Sequence, residues 1–418
     1  MAGRRPTGTG SVYQRGDGRW VAQIENGFTP KGRRRYARRT APTKTAAQVI
    51  LKQMVADQAA GQTSIDPRTT VRTWAEEWIE TKRRTIKPNS ARTLESAIRR
   101  WVIPTIGRKR LSALTPADVA KVGRAVRDAG NSATHAHGVT VKLLSCLTDA
   151  ARAGHHIPQP VLLAKAPHPG IPDRKAIPAV DAQQILQTAT HRADWPPLPQ
   201  KPDWHDDRAR RIWTGERILR ETDPSRWMAT LLQGMRQGEA LGLEWSRVDL
   251  DRDVLDVSWQ LQRIDTDATI PDDMEIRRLE SSHALVRPKT SAGRRLIPIV
   301  PWMAAALADW RERQTSGPHD LVWPRATGHP MSAADDLSAW KALQRVAGVS
   351  KPGGVPFVGH EGRHAVVSLL VSLGIPEPVI IAIVGHSSFA SSMRYTHVDL
   401  TQARQALQQV ADRLQITD

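Results

Sequence analysis

Four short boxes and one isolated lysine in the C-terminal half carry side chains able to grip an anion and attack it. In Gln-Gly-Met-Arg-Gln-Gly-Glu at 233–239, Arg236 precedes Glu239 by three residues. At a helix start that spacing puts both on one face, where the carboxylate can anchor the guanidinium. Taken alone the pair reads rather as an exposed ion pair worth under about 1 kcal/mol. Lys289 stands in Pro-Lys-Thr-Ser-Ala-Gly between two alternating segments, 283–287 and 294–299, which predicts a hairpin with the lysine near its tip. His360-Glu-Gly-Arg363 heads an apolar helix over 365–373, so its two cationic groups are expected to share one face above a buried stripe. Val-Gly-His386-Ser-Ser follows a short helix over 377–384, and Tyr395 comes nine residues later. The chain has 14 tryptophans but only three tyrosines, and the other two, Tyr13 and Tyr36, lie near the N-terminus. A phenol beside a cage of cations suits covalent catalysis at a charged centre; without the other boxes Tyr395 would equally be a packing residue. His360-Glu361-Gly362-Arg363-His364 also fits H-E-x-x-H, the helical zinc site of metallopeptidases. Arg363 on the same turn would set a fixed positive charge beside such a metal, and no third ligand suggests itself.

In order along the chain, Arg236, Lys289, His360-x-x-Arg363, His386 and Tyr395 resemble the active site of the tyrosine recombinase (phage integrase) family, with Glu239 at the acidic position that props the first arginine. The resemblance spans the whole chain. It implies a site-specific DNA recombinase that cleaves and rejoins DNA through a 3′-phosphotyrosyl intermediate, integrating or excising a mobile element. Arg236, Arg363 and His386 would hold the phosphate, His360 would act as base, and Lys289 would protonate the departing 5′-oxygen. The residue types fit that chemistry, because transesterification builds charge on non-bridging oxygens and guanidiniums are permanent bidentate donors, so no metal or other cofactor is implied. The implied partners are double-stranded DNA attachment sites and a homo-tetramer on synapsed DNA, with room for an excisionase or a host DNA-bending protein. Gly362 departs from the family pattern, which usually has an apolar residue there, and predicts a looser helix start. A catalytically silent DNA-binding regulator of the same fold is the main alternative, against which the intact hexad weighs. A type IB topoisomerase is another, against which the basic N-terminal region weighs, and the zinc metallopeptidase from the match at 360–364 is a third.

The elements that must position these groups predict a multidomain chain: a small basic β-sheet plus helix, an all-α core-binding domain, and a mixed α+β catalytic domain of tyrosine recombinase type. Boundaries are expected at 1–65 (arm-type DNA-binding), 66–155 (helical core-binding), 156–177 (linker, rich in proline) and 178–418 (catalytic). Strands are predicted near 11–15, 19–25 and 33–39, and helices near 43–60, 71–84, 89–102, 116–129 and 132–153, the fourth opened by a cap in Thr115-Pro-Ala-Asp. Segments 191–207 and 262–282 read as long loops. A last helix over 400–414 carries Ala403, Leu407, Val410 and Leu414 at helical spacing, suited equally to docking on a neighbour and to packing at home.

Charge names the class of partner. The net charge is +18, and residues 1–60 supply half of it, with six bases crowded into 31–39. Those bases lack the broad apolar face of a membrane-surface helix, so a polyanion such as DNA is favoured. Arg19, Arg33, Arg34, Arg35, Arg38 and Arg39 are the candidate contacts of the sheet, and Lys82, Arg83 and Arg84 of the helical domain. No run of 18 apolar residues and no leader-like stretch occurs, so a soluble protein of the cytoplasm, working with the bacterial nucleoid, is expected and no membrane partner. The one cysteine, Cys146, rules out intrachain disulfides and cysteine-based zinc modules, and its apolar neighbours predict a core position.

Overall fold

In the computed structural model, which describes residues 10–28, 34–59, 68–170, 176–203, 205–280, 282–288, 294–385 and 400–415, the chain divides into two units, Met1–Pro172 and Asp173–Asp418. The first opens with an antiparallel meander, β1 (Ser11–Gln14), β2 (Trp20–Phe28) and β3 (Arg34–Ala41), followed by α1 (Lys44–Ala59). Ala22 and Ile24 of β2 are buried against Met54 of α1. On the opposite face Arg38 donates to Gln23 across the strands at 2.7 Å, in register.

The rest of this unit is helical: α2 (Val71–Thr85), α3 (Pro88–Ala97), α4 (Ile103–Ile106), α5 (Pro116–Asp128), α6 (Ala133–Arg152) and the short α7 (Gln159–Leu162). Caps set the starts as the sequence suggests. Thr115 N–H donates to Asp118 at 3.0 Å in a capping box, with Pro116 at the first helical position. The helix expected over 89–102 is interrupted: a π turn at Ile98–Val102, closed by Ile103 N–H to Ile98 O, joins α3 to α4. Pro104 has no N–H for the carbonyl four residues back, and the ladder widens just before it. Trp74 and Trp78 of α2 donate to Cys146 O and Asp149 of α6 at 2.9 and 2.8 Å, over a core that includes Val71, Ile98, Val122, Leu143 and the buried Cys146. The proline-rich stretch expected as an extended linker is partly packed. Ile157 and Val161 join this core, and Pro167 O meets the His137 ring at 2.8 Å, so its first half is fastened to the helices.

The second unit contains α8 (Ala179–Thr190), α9 (Asp207–Glu221), α10 (Ser225–Leu231) and α11 (Gln237–Leu241) before its sheets, and α12 (Pro301–Arg313), α13 (Ala333–Val346), α14 (Gly359–Ser372), α15 (Glu377–Val384) and α16 (Leu400–Arg413) after them. One sheet has the order β4 (Val248–Asp249), β5 (Val254–Val257), β9 (Arg295–Pro298); the other has the order β6 (Gln260–Arg263), β8 (His283–Val286), β7 (Ile276–Glu280). Two expectations change here. The stretch 262–282 contains a strand rather than only a loop, and β8 and β9 are not hairpin arms: β8 pairs with β6 and β7, β9 with β5. β8 and β9 therefore belong to different sheets. Trp227, Trp323 and Trp340 are buried in the common core, where Trp340 donates to Phe357 O and Trp323 to Ser225. The apolar stripe of α16 is spent in this same core, with Ala403, Leu407, Val410 and Leu414 all buried, so it is not a vacant docking face.

Candidate active site

Arg236 caps α11, and Glu239 at the third helical position accepts its backbone N–H at 2.9 Å. The side chain then curls over the same carboxylate, donating to Oε1 at 2.6 Å. Glu239 is only 3% exposed, so the pair is not the solvated bridge that the sequence alone allowed. Burial would raise its carboxyl, but Arg295 foremost and Arg236 outweigh this and hold it down at about 2. Arg295, on β9, is the residue that sequence reasoning missed. Its guanidinium meets Glu239 end-on, Nη2 at 2.9 Å from Oε2 and Nη1 at 3.1 Å from Oε1, and is itself buried. A signal was available: strand alternation puts Arg295 on the side of buried Ile297, and an inward arginine needs a buried acid.

Arg363 belongs to the buried stripe of α14 rather than riding above it, and is 1% exposed, whereas His360 is exposed one turn earlier. The place for it is made by Gly362, which does not loosen the helix. A Cβ there would stand 3.2 Å from both Leu231 and Thr230 of α10, so the missing side chain lets the two helices approach. Arg363 donates to Gly234 O at 2.5 Å and to Val384 O. Its Nε has no partner among the described residues. Burial, with Arg236 and Arg295 nearby, pulls its pKa down to about 9, so at neutral pH it is still a cation.

The three arginines converge on the end of α15. Arg295 Nε donates to Ile383 O at 2.7 Å, Arg363 to Val384 O, and Arg236 to Gly385 O at 2.6 Å. Helix-terminal carbonyls lack intrahelical partners and form the negative end of the helix dipole, so cations are favoured there. Gly385 closes the helix with φ of 67°, in the left-handed region where glycine is unstrained. The next residue in sequence is His386. It lies outside the described residues, as do Lys289 and Tyr395.

Arg236, His360 and Arg363, up to 127 residues apart in the chain, line one cavity of about 380 Å³ together with Gln237, Asp336 and Trp340. Asp336 is neutralised by Arg226, 3.0 Å away and equally buried, and also receives Gln237 at 2.8 Å. Against the single carboxylate of Glu239 stand the guanidiniums of Arg236, Arg295 and Arg363, an uncompensated positive charge suited to an anion.

The zinc reading loses its base. Glu361 is 1% exposed, accepts Val358 N–H at 2.8 Å and pairs with Lys351 at 2.7 Å, so it caps α14 instead of activating water. No group of three His, Cys, Asp or Glu able to hold a metal occurs among the described residues, and no helix among them is long and apolar enough to cross a membrane.

The candidate DNA contacts of the first unit divide. Arg19, Arg38 and Arg39 are exposed on or beside the sheet; Arg34 and Arg35 fall in β3 without described side chains, and Arg33 lies outside the described residues. Lys82 pairs with Asp149 at 3.1 Å, and Arg83 grips Glu95 at 2.6 Å and Glu80 at 2.9 Å, so both staple helices together. Arg84 is exposed.

Residues 220–402 match the phage integrase family, and residues 70–122 match the phage integrase N-terminal SAM-like domain. An integrase of Saccharopolyspora erythraea is 24% identical over 98% of this chain and 97% of its own length. Among solved structures, the Tn1549 transposon integrase in complex with a circular intermediate DNA superposes with a TM-score of 0.58 at 17% identity, covering 82% of this chain and 100% of that one. A lambda integrase tetramer bound to a Holliday junction gives 0.53 at 16% identity, over 93% of this chain and 98% of that one. With these matches falling on the helical bundle and on the arginine-rich site, the chain belongs to the phage integrase family of tyrosine recombinases.

Proposed function

We propose that this chain integrates or excises a mobile element by cutting and rejoining duplex DNA, with Tyr395 as the nucleophile. The observation that carries the proposal is the convergence of Arg236, His360 and Arg363 on one cavity with excess positive charge, beside the anchored end of the helix that leads to His386. A phosphodiester bound there gains charge on its non-bridging oxygens as it is attacked, and pre-set guanidiniums meet that charge without reorganising. The phenol oxygen of Tyr395 bonds to phosphorus as the bond to the 5′-oxygen breaks. His360 takes the phenol proton, Lys289 gives one to the departing 5′-oxygen, which leaves as a 5′-hydroxyl, and the 3′-phosphate stays on the tyrosine. Attack by a 5′-hydroxyl reverses the step, and no nucleotide cofactor is consumed. His386 adds a donor to the phosphate, and Glu239 keeps Arg236 in place.

The lambda relative whose structure holds a tetramer on a Holliday junction supports extending this to four protomers exchanging strands between two attachment sites. The sheet of the first unit would read arm-type DNA and the helical bundle the core site, a division into arm-binding, core-binding and catalytic domains. An excisionase or a host DNA-bending protein would set direction, and the work would be done in the cytoplasm on the nucleoid. The test uses duplex DNA selected from a random-sequence pool by binding to the full chain, then nicked so that the cleaved 5′ end diffuses away. A covalent protein–DNA adduct should accumulate with the native chain and be absent with Tyr395→Phe, while binding is retained. An undiminished adduct in Tyr395→Phe would sink the assignment of the nucleophile.

A further inference from the structure

Arg236 is a long side chain at the edge of a cavity, with about a third of its surface exposed. It leans on two supports, the Glu239 carboxylate and the carbonyl of Gly385. Arg295 holds both. It fills one side of the carboxylate with two parallel bonds, while the backbone and side chain of Arg236 take the other acceptor positions. A carboxylate accepts at about four positions, so Glu239 has none left over and no freedom to rotate. The third donor of Arg295, Nε, fixes Ile383 O, two residues before the carbonyl that Arg236 grips. The planar fork of a guanidinium makes these three bonds from three coplanar nitrogens in fixed directions, whereas an ammonium has its donors on a single atom.

Stability alone does not account for this cluster. Buried ion pairs are often no better than well-packed apolar side chains, and here three guanidiniums crowd one carboxylate. We propose that Arg295 is a positioning residue for DNA cleavage, which clamps Glu239 and the end of α15 so that Arg236 meets the scissile phosphate in one fixed geometry. This rests on the recombinase reading above. Arg295 touches no substrate itself; it acts through Arg236.

The experiment follows single-turnover adduct formation on the nicked, pool-selected duplex in a double-mutant cycle of Arg295→Lys and Arg236→Lys. Arg295→Lys should bind the duplex within about twofold of the native chain, yet form the adduct about 10- to 100-fold more slowly, the cost of a misaimed group. In the Arg236→Lys background, adding Arg295→Lys should change the rate by no more than about twofold, because no guanidinium remains to be aimed. A merely structural role would slow both backgrounds by the same factor, and that result, or a native rate in Arg295→Lys, overturns the proposal. Should Arg295→Lys not fold, Arg295→Gln goes through the same cycle, and failure of both to fold makes Arg295 a stability residue and equally overturns it. A native chain that forms no Tyr395-dependent adduct would instead sink the recombinase reading, and the role of Arg295 with it.

Discussion

Glu239 shows how much one buried carboxylate can govern. Its folded-state pKa of about 2 lies below the ordinary 4.5, so its contribution to stability is complete above pH of about 4.5 and is lost as the pH falls toward 2. That difference corresponds to about 3 kcal/mol. Glu239→Gln should therefore lower the unfolding free energy by about 3 kcal/mol at pH 7, since it leaves two guanidiniums without their anion. Urea unfolding followed by tryptophan fluorescence reads this directly, and the gap between native and variant should narrow from pH 5 to pH 3. A gap that is absent at pH 7, or constant across that range, contradicts the account. At this scale the sequence was partly legible. Arg236 and Glu239 declare themselves because they are three residues apart, whereas Arg295 is 56 residues from Glu239, and only the fold brings them to 2.9 Å. The burial of Arg363 was hidden for a similar reason, because a polar box at a helix start suggests an outward group unless its carbonyl partners, at Gly234 and Val384, are known.

Among the elements, α14 depends on its neighbour. Gly362 packs directly on α10, and its Cβ position is 3.2 Å from two side chains that are themselves buried, Leu231 and Thr230. Gly362→Val should push these helices apart, lower stability by about 2 kcal/mol, and reduce adduct formation by withdrawing Arg363 from the cavity; Tm and the single-turnover rate together test this. An unchanged Tm would mean that the contact yields freely. Helical periodicity and caps made most of α2, α5 and α6 readable in advance, since they depend on residues three and four apart. The π turn before Pro104 and the division of β8 and β9 between two sheets were not readable from that pattern. The first depends on how a lost N–H is absorbed, and the second on which strands β8 and β9 find, and alternation records only that a residue faces in or out. The apolar stripe of α16 was legible but not its destination, because a core and a partner's groove ask for the same residues.

For the whole molecule, the uneven charge is the property that a single site does not explain. Half of the net +18 comes from residues 1–60, although the arginine cluster of the cavity lies in the second unit. If the first residues read DNA through its backbone, they should carry much of the salt dependence of binding and little of the chemistry. Each phosphate neutralised contributes about 0.9 to the slope of log affinity against log salt. Were half of Arg19, Arg33, Arg34, Arg35, Arg38 and Arg39 to touch phosphates, deleting 1–65 would flatten that slope by about 3. The truncated chain, checked for fold by its unfolding transition, should still form the Tyr395 adduct on a duplex bearing only the core site, because α11, α14 and α15 are untouched. An unaltered slope would show that these arginines are a solvated surface. A flattened slope accompanied by loss of cleavage on that core-only duplex would show instead that the N-terminal sheet does more than hold DNA.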